Sequence, residues 1–513
     1  MKRISQRQFG SIGILTIATT FIGCGQIHAE STVETTPDPL VVHAGSITIE
    51  SPEGTPRPPF EFNDSDAQLL DEIQHATFEY FWSAVSPETG MVYDRTSSDV
   101  VSTAGVGFQL AALPIGIERG WITRQQGEAR ALKILTALER EPSNRKAGLF
   151  YHFINPHDAS ARRVGRELVV STVDSALLFS GMLVAGQYFL GDTKIIADRL
   201  FASADWSFFL ANPGGESPAG SFLSLGWKPS FDESPTGPGE LLPYFWLDCG
   251  DEHRLATLLG IAAPIPEHRI PTDTYWSLRR QLGWHEGQGH MVWFPYSGAL
   301  FTSFFAHCFI DYSSMDIDEP AAYQHDHRAR VDWWENSRRL VNLHRDRAIV
   351  NPLDLPTLGP DAWGFSASDG PVGYLVSGQF PQPVEMTDAL PDRDFATFEP
   401  INDWGGGVVA PYAAGSSIMF EPSHAINALR FAKELTAPDG TPGIWDPEWG
   451  FRDAYRLDAD GQIDWVAEDF VAISQGPLIL GIENARTGLV WDLMMSHPAL
   501  VRGLEELEIA PNP

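Results

Sequence analysis

Residues 443–491 read GIWDPEWGFRDAYRLDADGQIDWVAEDFVAISQGPLILGIENARTGLVW, and the rest of the chain is organised around them. The carboxylates Asp446, Glu448, Asp453 and Asp469 alternate here with the aromatics Trp445, Trp449, Phe451, Tyr455, Trp465 and Phe470. An apolar helical run over 478–482 follows Gly476-Pro477. A core segment does not crowd acids among indoles, because a buried carboxylate costs several kcal/mol unless it is paired. A carbohydrate site uses this mixture: aromatic faces stack on sugar C–H faces, and carboxylates bond hydroxyls or move protons. A solvated acidic turn beside a packed helix is the other reading of these residues.

Working outward, helical spacing dominates from residue 64 onward. Leu69, Leu70, Ile73, Ala76, Thr77, Tyr80, Phe81 and Ala84 fall at three- and four-residue steps, one apolar helix face. A second helix is expected over 104–118. A third runs to 139 behind the capping box of Thr123 and Gln126. Ser171 and Asp174 head a fourth ending near Phe189, and Thr193 caps a fifth reaching 210. Further helices are expected over 240–259, 321–345, 422–435 and 467–484. There is no period-2 strand series and no βαβ alternation. The fold class is therefore all-α, with helices packed in pairs as an α/α barrel or a less regular bundle.

Two long stretches interrupt this pattern. Residues 214–239 are rich in Gly, Ser and Pro and lead to Glu240. Residues 349–411 carry Trp363, Asp369, Tyr374, Asp403 and Trp404, and a connection of that length with such aromatics reads as functional. The formal net charge of −32 argues against nucleic acid as a partner. Of three cysteines, Cys24 lies near the N-terminus, while Cys249 and Cys308 either pair or stay as buried thiols.

The N-terminal 24 residues read as a targeting signal. Lys2, Arg3 and Arg7 precede an apolar stretch over 12–22, too short to span a bilayer. Phe21-Ile22-Gly23-Cys24 resembles a bacterial lipobox, with Phe21 where Leu is usual, so Cys24 is the expected lipidation site. Ile27-His28-Ala29 offers ordinary signal-peptidase cleavage instead. Six prolines over 25–63 suggest an extended spacer, with one short strand over 41–49 and the catalytic domain over 64–510. The expected location is the cell envelope, held to the membrane by the lipid, or secreted soluble protein if cleavage wins; a monomer is expected.

Several tempting motifs fail on spacing. His285 and His290 are five apart with glycines between, so they do not form a zinc HExxH site. Asp458, Asp460 and Gly461 with Asp464 are similar to part of a calcium loop but lack its closing Glu, and a tight turn fits better. His325 and His327, two apart on an expected helix, read as solvated. No metal or cofactor is expected.

Several ordered motifs resemble the glycoamylase-like domain of bacterial β-1,2-glucanases. They are TFEYFW (77–82), GVGFQLAALPIGIERGWIT (105–123), ELVVSTVDSALLFSG (167–181), WENSRR (334–339), WGFSASDGP (363–371), WGFRDAY (449–455) and ISQGPLILGIENARTGLVW (473–491). The resemblance implies an (α/α)6 barrel with long active-site loops and a central carbohydrate cleft. It implies hydrolysis of β-glucan, most of all β-1,2-glucan, with two carboxylates as acid and base in an inverting glycoside hydrolase. A similar domain in cyclic β-1,2-glucan synthases leaves open a transglycosylase, and altered cleft motifs leave open a binding protein without catalysis. The catalytic pair implied is Glu240 and Asp453. Glu240 is also readable as a first-turn helix acid favoured by the macrodipole, and Asp174 as a capping residue. Substrate contacts are implied at Asp174, Trp363, Asp369, His307, Trp449 and Tyr455. Three departures stand out. Pro238-Gly239 replace the family's Tyr-Asn before the Glu, Ser303-Phe304-Phe305-Ala306-His307 replace a His-Gln-Tyr-Ser-His segment, and Gly405-Gly406-Gly407-Val408 stand where Asp-Asp-Gly-Thr is usual.

Overall fold

A computed structural model describes residues 41–212, 221–230, 234–388, 404–437 and 443–509. It is mostly helical, and the helices sort into two kinds by the pattern of their side chains. Helices α1 (Asp64–Ser83), α3 (Arg124–Arg140) and α5 (Gly191–Ala202) are amphipathic and bury one face. Helices α2 (Thr103–Glu118), α4 (Thr172–Phe189) and α6 (Asp251–Ala262) are buried along nearly their whole length. A helix that is apolar all round belongs inside, with other helices covering it. The short α7 (Asp273–Trp276) follows. The alternation then resumes with the half-exposed α8 (Trp333–Val350), the buried α9 (Pro411–Ser416) and the amphipathic α10 (Pro422–Glu434). Buried α11 (Ala472–Arg486) comes next, with α12 (Leu489–Met495) and α13 (Pro498–Glu506) closing the described chain.

Among the buried helices, α2 packs on α4 and α11, α4 on α6, and α11 on α9. The α2–α4 crossing is close enough to demand glycine. A Cβ on Gly107 would sit 2.3 Å from the Leu177 carbonyl oxygen, and one on Gly181 would sit 1.9 Å from the Gly107 carbonyl oxygen.

The segments entering the buried helices are stitched together at one end of the molecule. Val101–Ser102, before α2, pairs with Phe153–Ile154. Val170–Ser171, before α4, pairs with Gly226–Pro229, and Tyr151 bridges Val170. Arg95 bridges Val471 just before α11, and the Asp94 carbonyl accepts from the Ala472 amide. The N-terminal turns of α2, α4 and α11 therefore share one neighbourhood, built on loops from 84–102, 141–171 and 443–471.

The expected helices over 69–84, 104–118, 123–139 and 171–189 are present, with the Thr123–Gln126 capping box formed in both directions. Others differ. The helix expected over 240–259 begins only at Asp251. Pro243 and Gly250 interrupt the earlier stretch, and residues 239–241 are instead a strand paired with Gly226–Pro229. The helix expected from 321 starts at Trp333, where Asp332 accepts from the Glu335 amide as N-cap; residues 320–323 are a 3-10 turn ended by left-handed Gln324. His325 and His327 are thus on a loop and partly covered, His325 lying 3.3 Å from Asp273. The fifth helix starts at Gly191, with Thr193 buried inside it, and stops at Ala202. The last begins at Ala472 rather than 467. Short strands of two to four residues, invisible to a period-2 test, hold the loops.

The spacer expected over 25–63 is not free where it is described. Val41–Val42 pairs with Glu385–Met386, and Thr48–Ile49 with Arg330–Val331. Arg57 pairs with Asp332 and lies over the Trp334 ring, and the Phe60 amide donates to the Ala485 carbonyl. Backbone pairing and one half-buried cation outweigh the spacer-like composition. Residues 25–40 and Cys24 lie outside the described residues. Cys249 and Cys308 are free, buried thiols. Among the described residues no helix is long and apolar enough to cross a membrane.

Candidate active site

Buried carboxylates lie in the first turns of α4 and α6 and in the loop before α11. Asp174 sits in the first turn of α4, its amide bonded to Ser171 Oγ, and is 2 % exposed. Its Oδ1 has no hydrogen-bond partner and lies 3.7 Å from His152 Nε2, whose other nitrogen is 2.5 Å from Glu167 Oε1. Burial opposes the His152 imidazolium, but Asp174 and Glu167 outweigh it and push it up to about 10. Burial also raises Asp174, with His152 drawing it back.

Glu252 stands in the first turn of α6, 2 % exposed, with Oε2 unpartnered. A helix N-terminus favours a charged carboxylate by up to about 2 kcal/mol. Here burial overrides that, aided by the negative charges of Asp174 and Asp251, and pushes Glu252 up to about 8. It holds its proton at neutral pH. Asp251 beside it is an anchor: it pairs with Arg254 and accepts from the Ala306 and His307 amides.

Asp453 is equally buried but fully partnered. Ser474 Oγ, from α11, donates to Oδ1 at 2.7 Å, and the Asp369 amide donates to Oδ2 at 2.7 Å. Burial and then the Asp369 charge push it up to about 7, while those two donors and Arg95 pull it down. Arg95 Nη1 reaches Asp369 Oδ1 at 2.9 Å and Asp469 Oδ2 at 3.4 Å. Asp453 and Glu252 both act on Tyr412 of α9, whose hydroxyl is 2.8 Å from both Ser366 Oγ and the Ala367 carbonyl. Burial raises that hydroxyl, and the charges of Tyr374, Asp453 and Glu252 add to the effect, so both carboxyls are in its electrostatic reach.

The structure thus sets Asp369 on Asp453 and Asp174 near Glu252, and leaves out Glu240. Glu240 lies on the exposed strand Gly239–Leu241 with its side chain 70 % exposed and paired with Lys228 Nζ at 3.1 Å. Trp363 and Tyr455 are buried in the core and offer no face to a sugar. His307 is buried against Tyr312 and Phe420, bonded to Ser337, and driven well below its usual range by burial. Trp449 is half-buried, its ring edge-on to Tyr80 and its Nε1 bonded to Ser83, both of α1. Sequence reasoning missed Glu252, His152, Glu167 and Arg95. For Glu252 a signal exists: Pro243 and Gly250 forbid one helix from 240, so the apolar run 255–262 must start behind Asp251-Glu252. The missing Tyr-Asn before Glu240 is a second sign that the acid is elsewhere. Among the described residues no group of three His, Cys, Asp or Glu side chains is arranged to hold a metal.

The Glycoamylase family model matches residues 244–498. That stretch, just under half of the chain, is similar to the glycoamylase family. The match begins after Glu240 and includes Glu252, Asp369 and Asp453. Over 479 residues the chain is 27% identical to the exo beta-1,2-glucooligosaccharide sophorohydrolase (non-reducing end) of Parabacteroides distasonis, covering 86% of this chain and 58% of that protein. The chain thus spans less than two thirds of that relative's length. It superposes on the endo-beta-1,2-glucanase of Chitinophaga pinensis, solved with sophorotriose and glucose, with TM-score 0.67 and 25% identity over 87% of this chain and 98% of that one. For a beta-1,2-glucanase from Parabacteroides distasonis the TM-score is 0.68 at 25% identity, over 87% of this chain and 60% of that one.

Proposed function

We propose that the protein is a glycoside hydrolase that cleaves β-1,2-linked glucan with inversion, using Glu252 as general acid and Asp453 as general base. The observation that carries this reading is the pair itself: two buried carboxyls, one with an unpartnered oxygen and raised to about 8, the other accepting two hydrogen bonds and within the electrostatic reach of an arginine. In an inverting step one carboxyl protonates the leaving oxygen while the other activates water on the opposite face of the ring. Glu252 would give its proton to the glycosidic oxygen as the C1–O bond breaks. Water would form the new bond to C1, and its proton would pass to Asp453. Asp174, with a buried oxygen lacking a partner, would accept a sugar hydroxyl. The relatives' activities on β-1,2-glucans support this choice of linkage.

The fold reading that goes with it is an (α/α)6 barrel. Helices α2, α4, α6, α9 and α11 would supply five inner positions. The sixth would be the 3-10 turns Leu300–Ser303 and Ala306–Cys308, which pack on α6, while Phe304 meets Tyr412 of α9 at 6.3 Å. Anchoring in the cell envelope through a lipid on Cys24 remains part of the proposal, supported by the lipobox-like residues 21–24.

The test is incubation of the purified protein with β-1,2-glucan, with product length followed by chromatography and anomer by NMR. Sophorose or longer sophoro-oligosaccharides released with an α-anomeric end are expected. Absence of product from any β-glucan overturns the reading.

A further inference from the structure

We propose that Arg95 is a positioning residue that clamps the 367–376 hairpin onto Asp453 and keeps that carboxylate available as a base; the role as base rests on the function proposed above. The hairpin pairs Ala367 with Val376 and Ser368 with Leu375, and its tip is open to solvent, with Val372 92% exposed. Only two residue pairs of ladder hold it, yet its Asp369 amide supplies one of the two hydrogen bonds on Asp453. The Asp369 carboxylate is therefore forced close to a second carboxylate, and like charges that close repel.

Arg95 resolves the conflict. Its Nη1 lies 2.9 and 3.2 Å from the two Asp369 oxygens and 3.4 Å from Asp469 Oδ2, and its Nε is 3.5 Å from Asp94 Oδ2. Asp469 is itself fixed by Thr96 Oγ1 and by the amide and hydroxyl of Ser97. The guanidinium thus ties the hairpin to the loop before α2 and to the loop before α11 at once. The groups facing Asp453 are Asp369 and Tyr374 from the hairpin, Asp94 and Arg95 from the loop after α1, Tyr80 of α1 and Tyr412 of α9. Burial keeps all three tyrosines neutral. Arg452, next in sequence, turns away to the Glu468 carbonyl and the Phe470 ring. Arg95 is the cation set among Asp94, Asp369, Asp453 and Asp469. Removing it takes away a charge that lowers the proton affinity of Asp453.

The experiment compares wild type, Arg95→Met, Arg95→Lys and Asp469→Asn as full chains, first checked for an unchanged circular dichroism spectrum. Asp453 is followed by carboxyl ¹³C NMR in the unliganded protein, assigned with Asp453→Asn, and kcat/KM on β-1,2-gluco-oligosaccharides is measured against pH. In Arg95→Met the Asp453 titration and the acid limb of kcat/KM should both move up by about one pH unit or more. Arg95→Lys should recover part of that shift, and Asp469→Asn, which removes a negative charge, should move both down. An Asp453 titration that stays put in folded Arg95→Met, or that moves the same way in Asp469→Asn, overturns the inference. If the titration moves as expected while wild type hydrolyses no β-glucan, the clamp stands and the functional reading falls.

Discussion

Glu252 and Asp453 are two carboxyls buried to the same degree in one protein and both raised by that burial, and the opposite roles proposed for them rest on how their other neighbours differ. Around Glu252 burial with an unpartnered oxygen, and then two negative neighbours, Asp174 and Asp251, favour the neutral form although a helix N-terminus points at it. Around Asp453 there are two short hydrogen bonds and the Arg95 charge, all favouring the carboxylate, set against burial and Asp369. Burial alone therefore does not assign a role. The count of donors and the sign of the nearest charges do, and acid–base pairs of this kind are recognised by environments that drive two like groups apart.

The sharpest way to break the comparison is to neutralise each member. Glu252→Gln should lower kcat by about 10³, while Glu240→Gln, on its exposed strand, should leave kcat within about twofold. Steady-state kinetics that show the reverse order would return the acid role to Glu240. Asp453→Asn should cost about 10², because Asn keeps the contacts with Ser474 and the Asp369 amide but cannot take a proton.

A smaller effect concerns pH. If Asp453 must be ionised and Glu252 protonated, kcat/KM should rise through about 7 and fall through about 8, a narrow optimum. A flat profile from pH 5 to 9 would mean that neither group titrates in the reaction.

Stability should follow the same difference. The Glu252 pKa is raised in the folded state, so its contribution is most favourable below the unfolded value near 4.5 and is lost as pH climbs to about 8. Glu252→Gln should therefore match wild type in melting at pH 4 and exceed it at pH 8, by at most about 4 kcal/mol. Equal melting curves at both values would show that solvent reaches Glu252.

The smallest expected effect on turnover is at the N-terminus. Cys24→Ser should leave kcat unchanged and move the protein from the membrane fraction to the soluble one. Continued membrane partition of that variant would contradict the anchor.

Much of this molecule is legible in its residue order. Apolar spacing and side-chain caps are local, so α1 to α4, including the Thr123 box and the Ser171 cap, follow from neighbours three and four positions apart. Asp453 and Asp369 are legible as well, because acids set among aromatics are costly unless used. The start of α6 was within reach through Pro243 and Gly250, local breakers whose meaning depends only on backbone geometry. What no local pattern could supply is which acids meet. Glu252 is raised by its burial and then by Asp174, which comes from another buried helix, and Asp453 by its burial and then by Asp369, with Arg95 pulling it back from a loop far along the chain. Whether Trp363 and Tyr455 face a sugar or the core is likewise settled by packing, since an aromatic side chain carries the same signal in either place. Helix formation is short-range and written in the order of residues; proton affinity is set by burial and by charges brought from elsewhere, and those exist only once the chain has folded.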